Sequence, residues 1–261
     1  MKKRFHPMLF IIGLVVILSL ACQTLSGGNT PAPTLPPPLP TTAAEVPTTV
    51  PVPTKAPTEA PQPTAVPTIA VKEFFTEEFE TELFFDQWYY FITGPGSDNE
   101  DELKMEQEGD GLTVDLGELD MYFYYIYDLQ EYEDVRITMV AENLGRNNNN
   151  VSLVCRLDFD NDQWYEFSVE SGGVWYLYAF DDGYNFLDSG GTTALKQGQA
   201  INEYGLECNG ETITMYINGD KLKSYPERVY NFREGQVGFN ISSLNVLPIT
   251  VSVKSFDIAQ P

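Results

Sequence analysis

The sequence predicts an all-β fold for residues 71–261, an antiparallel sandwich of two sheets. Three observations carry this expectation. Runs rich in Val, Ile, Thr, Phe and Tyr recur through the segment, and most alternate apolar with polar residues, the period-two mark of a half-buried strand. Short clusters of Gly, Asn and Asp separate the runs. No stretch carries a long helical period, and many short strands with Gly/Asn turns favour a sandwich.

The chain begins differently. Lys2, Lys3 and Arg4 precede an apolar run from Leu9 to Leu20, which ends at Ala21-Cys22. A basic start, a short apolar run and a small residue at the cut site make a secretory signal peptide over residues 1–21. The run is shorter than the roughly 20 residues that span a bilayer. An uncleaved anchor and plain secretion are the alternatives.

Residues 22–70 read as a disordered, Pro/Thr-rich stalk. From Pro31 to Pro67, 13 of 37 residues are proline. Proline lacks a backbone donor and fixes φ, so neither helix nor sheet forms there. Such tracts favour polyproline II, and an extended stalk of this length reaches on the order of 100 Å.

In the domain, strands are expected at 135–142, 151–159, 164–170, 174–180, 212–217, 236–242 and 250–258. Asn209-Gly210 and Asn218-Gly219-Asp220 sit between such runs and signal hairpins. About 190 residues form one domain with a sizeable core. The domain holds 36 Asp and Glu against 11 Lys and Arg, a net charge of −25. That surface repels nucleic acid and anionic lipid, and attracts cations.

Two resemblances follow from these residues. Leu18-Ser19-Leu20-Ala21-Cys22 resembles a bacterial lipobox. It implies a diacylglyceryl group on the Cys22 thiol and a protein tethered to the extracellular face of the cell membrane. The runs VSLVCRLDFDNDQWYEFSVESGGVWYLYAFDDG, INEYGLECNGETITMYINGDKL, GQVGFN and ITVSVKSFDIA resemble the concanavalin A-like jelly roll of laminin G-like and lectin-like domains. The opening FFTEEFET with DQWYYF is similar to the 3-keto-disaccharide hydrolase-like branch. The resemblance implies two curved sheets that bind sugars or proteins on the concave face or at the loop rim.

The residue inventory limits catalysis. His6 is the sole histidine and lies in the signal segment. The mature chain therefore lacks Ser-His-Asp and Cys-His chemistry and His-ligated zinc. Paired carboxylates remain available. Laminarinase-type relatives carry Glu-x-Asp-x-x-Glu on one strand, but Glu131–Arg136 and Glu118–Phe123 each depart from it.

Cys155 and Cys208 form an even pair once Cys22 is acylated, and strand parity turns both towards the core. A disulfide would stabilise by about 3–4 kcal/mol on the chain-entropy model. Two buried free thiols are the alternative. Asp158, Asp160 and Asp162 match the alternate oxygens that start a calcium loop, although Gln163 replaces the expected Gly. A hairpin turn explains the same residues. No other cofactor is implied.

Parity also selects a ligand face. Leu153, Cys155 and Leu157 turn inward, so Arg156 turns outward. Trp164, Glu166, Tyr176, Tyr178 and Tyr216 read outward by the same argument. Flat rings beside a guanidinium and a carboxylate suit sugar, and cross-strand pairs on a solvated sheet are the alternative. The sequence favours a non-catalytic binder of a glycan or cell-surface polymer. A glycosidase and a protein-interaction or sensor module are its rivals.

Overall fold

The computed structural model describes residues 72–80, 86–107, 109, 111–146 and 149–261. All lie within the compact unit Ala65–Pro261. The signal peptide, Cys22 and the Pro/Thr stalk lie outside the described residues.

Fifteen strands occur among the described residues. In chain order they are β1 Phe75–Glu77, β2 Trp88–Thr93, β3 Leu103–Gln107, β4 Leu112–Leu116, β5 Tyr122–Tyr132, β6 Val135–Asn143, β7 Asn149–Asp158 and β8 Gln163–Glu170. They continue as β9 Val174–Asp181, β10 Tyr184–Gly191, β11 Ile201–Asn209, β12 Thr212–Ile217, β13 Asp220–Pro226, β14 Gly235–Ser243 and β15 Ile249–Ala259. The one helical element described is a single 3-10 turn at Glu100–Glu102.

The strands form two sheets, antiparallel throughout. One runs β13-β12-β11-β6-β15-β4-β3, with β1 also paired to β15. The other runs β10-β9-β8-β7-β14-β5-β2. Consecutive strands β7 to β10 make a meander, while β14 and β15 follow each other in sequence but join different sheets. The result is a jelly-roll sandwich.

Alternation explains the first sheet. In β6 every second side chain is buried, from Val135 through Ile137, Met139 and Ala141 to Asn143. These residues face the core shared with Leu153, Phe167, Leu177, Phe239 and Phe256. At the β12–β13 hairpin, Asn218 and Gly219 take φ of 51° and 81°. A two-residue hairpin with positive φ at both positions favours this Asn-Gly pair.

Cys155 and Cys208 are joined by a disulfide, with 6.7 Å between their Cα atoms. It links β7 in one sheet to β11 in the other, and both sulfurs are fully buried. The covalent tie crosses the core rather than running along one sheet.

The second sheet is buried on both faces near its centre. In β7 and β8, runs of consecutive residues are covered. A second apolar cluster on the outer face causes this: Tyr124, Ile126, Val154, Leu157 and Trp164, packed with Tyr89, Phe91 and Phe180. Its rings stack closely. Phe91 lies on Tyr124 at 4.6 Å and 4°, and Trp164 lies on Phe180 at 3.8 Å and 5°.

A β-bulge moves Leu157 into that cluster. Cys155 pairs with Tyr165 and Asp158 with Gln163, so Arg156 and Leu157 together oppose Trp164. Arg156 takes φ of 55°. An extra residue reverses parity beyond it. Leu157 therefore reaches the outer face, contrary to the inward placement expected from simple alternation.

The segment after β13 is organised by a buried carboxylate. Glu227 accepts backbone N–H groups from Val229 at 2.7 Å, Tyr230 at 2.9 Å and Asn231 at 2.9 Å. The Tyr165 hydroxyl also donates to it. Burial works against the charged form, but these four donors outweigh it and hold the Glu227 carboxyl below its ordinary value.

Candidate functional site

The outer face of the second sheet divides into an aromatic half and an open half. Register sets the division. Tyr122, Ser242, Asn150 and Glu170 form one row across four strands. Tyr124, Asn240, Ser152, Ser168 and Tyr176 form the next. Ile126, Gly238, Val154, Glu166 and Tyr178 form the third. The aromatic cluster takes the β2–β5 side of the second and third rows, with Phe91 beside Tyr124 and Tyr89 beside Ile126, and Trp164 with Phe180 forms the row beyond.

The open half is a cleft of about 410 Å³. Tyr122, Tyr176, Tyr178 and Tyr184 wall it, and Glu166, Ser168 and Glu170 line it from one strand. Tyr176 and Tyr178 stand side by side, 5.8 Å apart and 20° from parallel. The Tyr176 hydroxyl donates to Glu170 at 3.0 Å. Asn150 also lines the cleft, and its side-chain oxygen is buried without a hydrogen-bond partner.

Glu166 is the chemical centre. Its carboxylate is buried, and Oε2 accepts from Tyr124 at 2.8 Å, Trp164 Nε1 at 3.3 Å and Tyr184 at 3.3 Å. The two tyrosine hydroxyls also hydrogen-bond each other, so one gives its proton to the other and only one of them donates to Oε2 at a time. Burial pushes the Glu166 carboxyl above its ordinary value, and the donors counter only part of that push. The same burial, with the charge of Glu166 close by, raises the Tyr184 and Tyr124 hydroxyls. Beneath the cleft, Ser152 Oγ lies 3.0 Å from Ser168 Oγ and 3.3 Å from Asn240 Oδ1, its one proton serving one of them at a time, and Ser242 donates to Asn240 at 2.6 Å. These bonds fix the floor.

Of the side chains expected on one ligand face, the structure brings together Glu166, Tyr176 and Tyr178. Trp164 faces the same way but is 3% exposed under Phe180, so it supports Glu166 rather than meeting solvent. Arg156 is elsewhere. It lies between the β5–β6 turn, where Nε and Nη2 donate to Glu133 O at 3.2 and 2.9 Å, and the 226–235 segment, where Nη1 donates to Phe232 O at 2.9 Å. Tyr216 belongs to β12 in the other sheet. There the Arg136 guanidinium sits 4.4 Å over its ring, and its hydroxyl donates to Glu207 at 3.3 Å. Parity assigns a side of a strand, but not the sheet that the strand joins.

The calcium expectation meets a different geometry. Asp158 accepts the Asn161 N–H at 3.1 Å and the Asn161 side-chain amide at 2.7 Å. Both its oxygens thus serve the turn. Among the described residues, Asp158, Asp160 and Asp162 do not converge into a ligand group.

Sequence reasoning missed Glu170, Tyr122, Tyr124 and Tyr184. Glu166-Phe167-Ser168-Val169-Glu170 sets two carboxylates on one face of one strand, a pattern readable from alternation. It lacks the middle Asp of Glu-x-Asp-x-x-Glu and is one residue shorter. The run Tyr122–Tyr127 is aromatic on both faces, so parity carried no signal there.

No family model matches the chain, and no curated protein matches it in sequence. Solved structures share its fold. One is a Bacillus subtilis protein of unknown function with a galectin-like fold, at TM-score 0.56 and 11% identity over 71% of this chain and 94% of that one. A Bacillus licheniformis β-glucanase matches at 0.55 and 12% over 74% and 100%. A Bacteroides ovatus mixed-linkage glucan GH16 protein in complex with a G4G4G3G product matches at 0.54 and 10% over 71% and 99%. Identities this low carry the fold alone. The domain is a jelly-roll β-sandwich of the concanavalin A-like, galectin-like kind.

Proposed function

We propose that the domain binds carbohydrate without cleaving it, in the cleft on the outer face of the second sheet. One observation carries this reading: four tyrosines surround two glutamates, two serines and an unpaired asparagine oxygen in a single open cleft. Tyrosine rings cover sugar C–H faces, and carboxylate, amide and hydroxyl groups satisfy sugar hydroxyls. The glucan-associated fold neighbours make glucans the first class to test. Display outside the cell on a lipid anchor at Cys22 completes the proposal.

A second reading has its own support. Glu166 and Glu170 share one strand face, and burial favours the protonated form of Glu166. A raised carboxylic acid and a second carboxylate facing one cleft are the two groups that a glycosidase uses. Binding remains the first reading because Oε2 of Glu166 is already engaged by Trp164 Nε1 and by the Tyr124–Tyr184 hydroxyl pair.

An array of immobilised oligosaccharides, probed with the detergent-solubilised full chain, tests the proposal. Saturable binding to one glycan class, with that glycan unchanged after prolonged incubation, supports it. Cleavage of the bound glycan moves the function to the second reading. Binding to no glycan contradicts both.

A further inference from the structure

A separate pocket of about 460 Å³ lies at the other end of the same sheet face, beyond the aromatic cluster. Three rings shape it. Phe159, in the β7–β8 turn, is 54% exposed. It meets Tyr89 edge-on at 6.0 Å and Phe91 at 5.5 Å. Phe159 thus carries the aromatic cluster onto the turn and leaves about half of its surface open beside the pocket.

Carboxylates rim these rings. Asp128, Glu131, Asp158 and Asp160 line the pocket, with no lysine, arginine or histidine among the described lining residues. Two are pinned. The Tyr89 hydroxyl donates to Gln236 Oε1 at 2.7 Å, and Gln236 Nε2 donates to Asp128 Oδ1 at 2.9 Å. Asp158 is held by Asn161. The pocket thus combines π faces, an apolar floor at Leu157 and uncompensated negative charge.

We propose that this pocket binds an organic cation of the quaternary ammonium class, with its methyl groups against Phe159, Tyr89 and Phe91 and its charge balanced by the rim carboxylates. An inorganic cation would use the carboxylates but not the rings. A neutral sugar would use the rings but gain nothing from four like charges. A methylated ammonium uses both, because ring quadrupoles and carboxylates attract the same positive charge. This site is independent of the cleft assigned to carbohydrate.

The test is calorimetric titration of the full chain with choline at low salt, beside 3,3-dimethylbutan-1-ol, its neutral isostere. Choline is expected to bind saturably, and the isostere about tenfold more weakly or worse. Phe159→Ala is expected to weaken choline about 5- to 30-fold with an unchanged melting temperature, since the ring lies on an exposed turn. Tyr178→Ala is expected to leave choline binding unchanged. Equal binding of the isostere, or full affinity in Phe159→Ala, would overturn the proposal. So would the absence of choline binding while Ca²⁺ binds independently of Phe159.

Discussion

The Tyr124 hydroxyl donates to the Glu166 carboxylate at 2.8 Å, reaching from β5 to β8 over two intervening strands. Both side chains are buried. The bond ties the aromatic half of the sheet face to the open cleft, so that packing on one side sets the carboxylate presented on the other.

Tyr124→Phe removes that donor while keeping the ring. A buried acceptor that loses one partner costs about 1–3 kcal/mol. The pH dependence has a definite sign. Glu166 has a folded-state pKa above its ordinary 4.5, so the native state favours its protonated form. Stability from this group therefore falls as pH rises from 4.5 through the raised value. Losing a donor extends the fall to higher pH. Melting temperatures of both proteins from pH 4 upward should diverge as pH increases; a constant offset would show that Tyr124 does not tune Glu166.

Glu227 has the opposite sign. Its donors lower its folded-state pKa, so its contribution is present above 4.5 and lost as pH falls through the lowered value. Glu227→Gln should cost about 1–3 kcal/mol at neutral pH, because an amide nitrogen replaces one acceptor oxygen. Denaturation at pH 7 and pH 3 should show the gap to wild type narrowing in acid. A gap that widens there would contradict the loop-holding role of the carboxylate.

The Cys155–Cys208 bridge closes a separation of 53 residues. Its removal in a Cys155→Ala/Cys208→Ala variant should lower stability by about 3–4 kcal/mol, on the chain-entropy model. Peptide mapping without reductant should recover the linked pair. Quantitative labelling of both thiols in the native protein would refute the bridge.

The proposed lipid anchor rests on Cys22. Cys22→Ser should abolish acylation and either release the protein or leave its signal uncleaved. Detergent phase partitioning reads this directly. Wild-type mature protein that enters the aqueous phase would sink the lipid anchor.

Much of this architecture was legible in the chain. The seven runs read as strands correspond to β6, β7, β8, β9, β12, β14 and β15, because each alternates cleanly or is bounded by Gly, Asn or Asp. Strands β1 to β5, β10, β11 and β13 were not read; in β2 and β5 Tyr and Phe crowd both faces and erase the period. The cysteine pairing was legible because both parities point inward. The grouping of side chains on the cleft was legible only locally. Glu166, Tyr176 and Tyr178 lie on adjacent strands, where one register serves all three. Arg156 failed because one bulge residue reversed its side, which no alternation rule anticipates. Tyr216 failed because sheet membership depends on long-range pairing.

The central claim is that carbohydrate sits on the tyrosine-walled cleft, and adjacent residues of β9 test it most directly. Tyr178 lines the cleft, whereas Leu177 is fully buried in the core. The measurement is the affinity of Tyr178→Ala and Leu177→Ala for the glycan selected by the array, with melting temperature alongside. Tyr178→Ala should weaken binding about thirtyfold, equivalent to about 2 kcal/mol for a stacking anchor, with little unfolding. Leu177→Ala should cost roughly 2–5 kcal/mol of stability and leave the affinity of the folded fraction unchanged. Unchanged glycan affinity in a folded Tyr178→Ala protein would contradict the account.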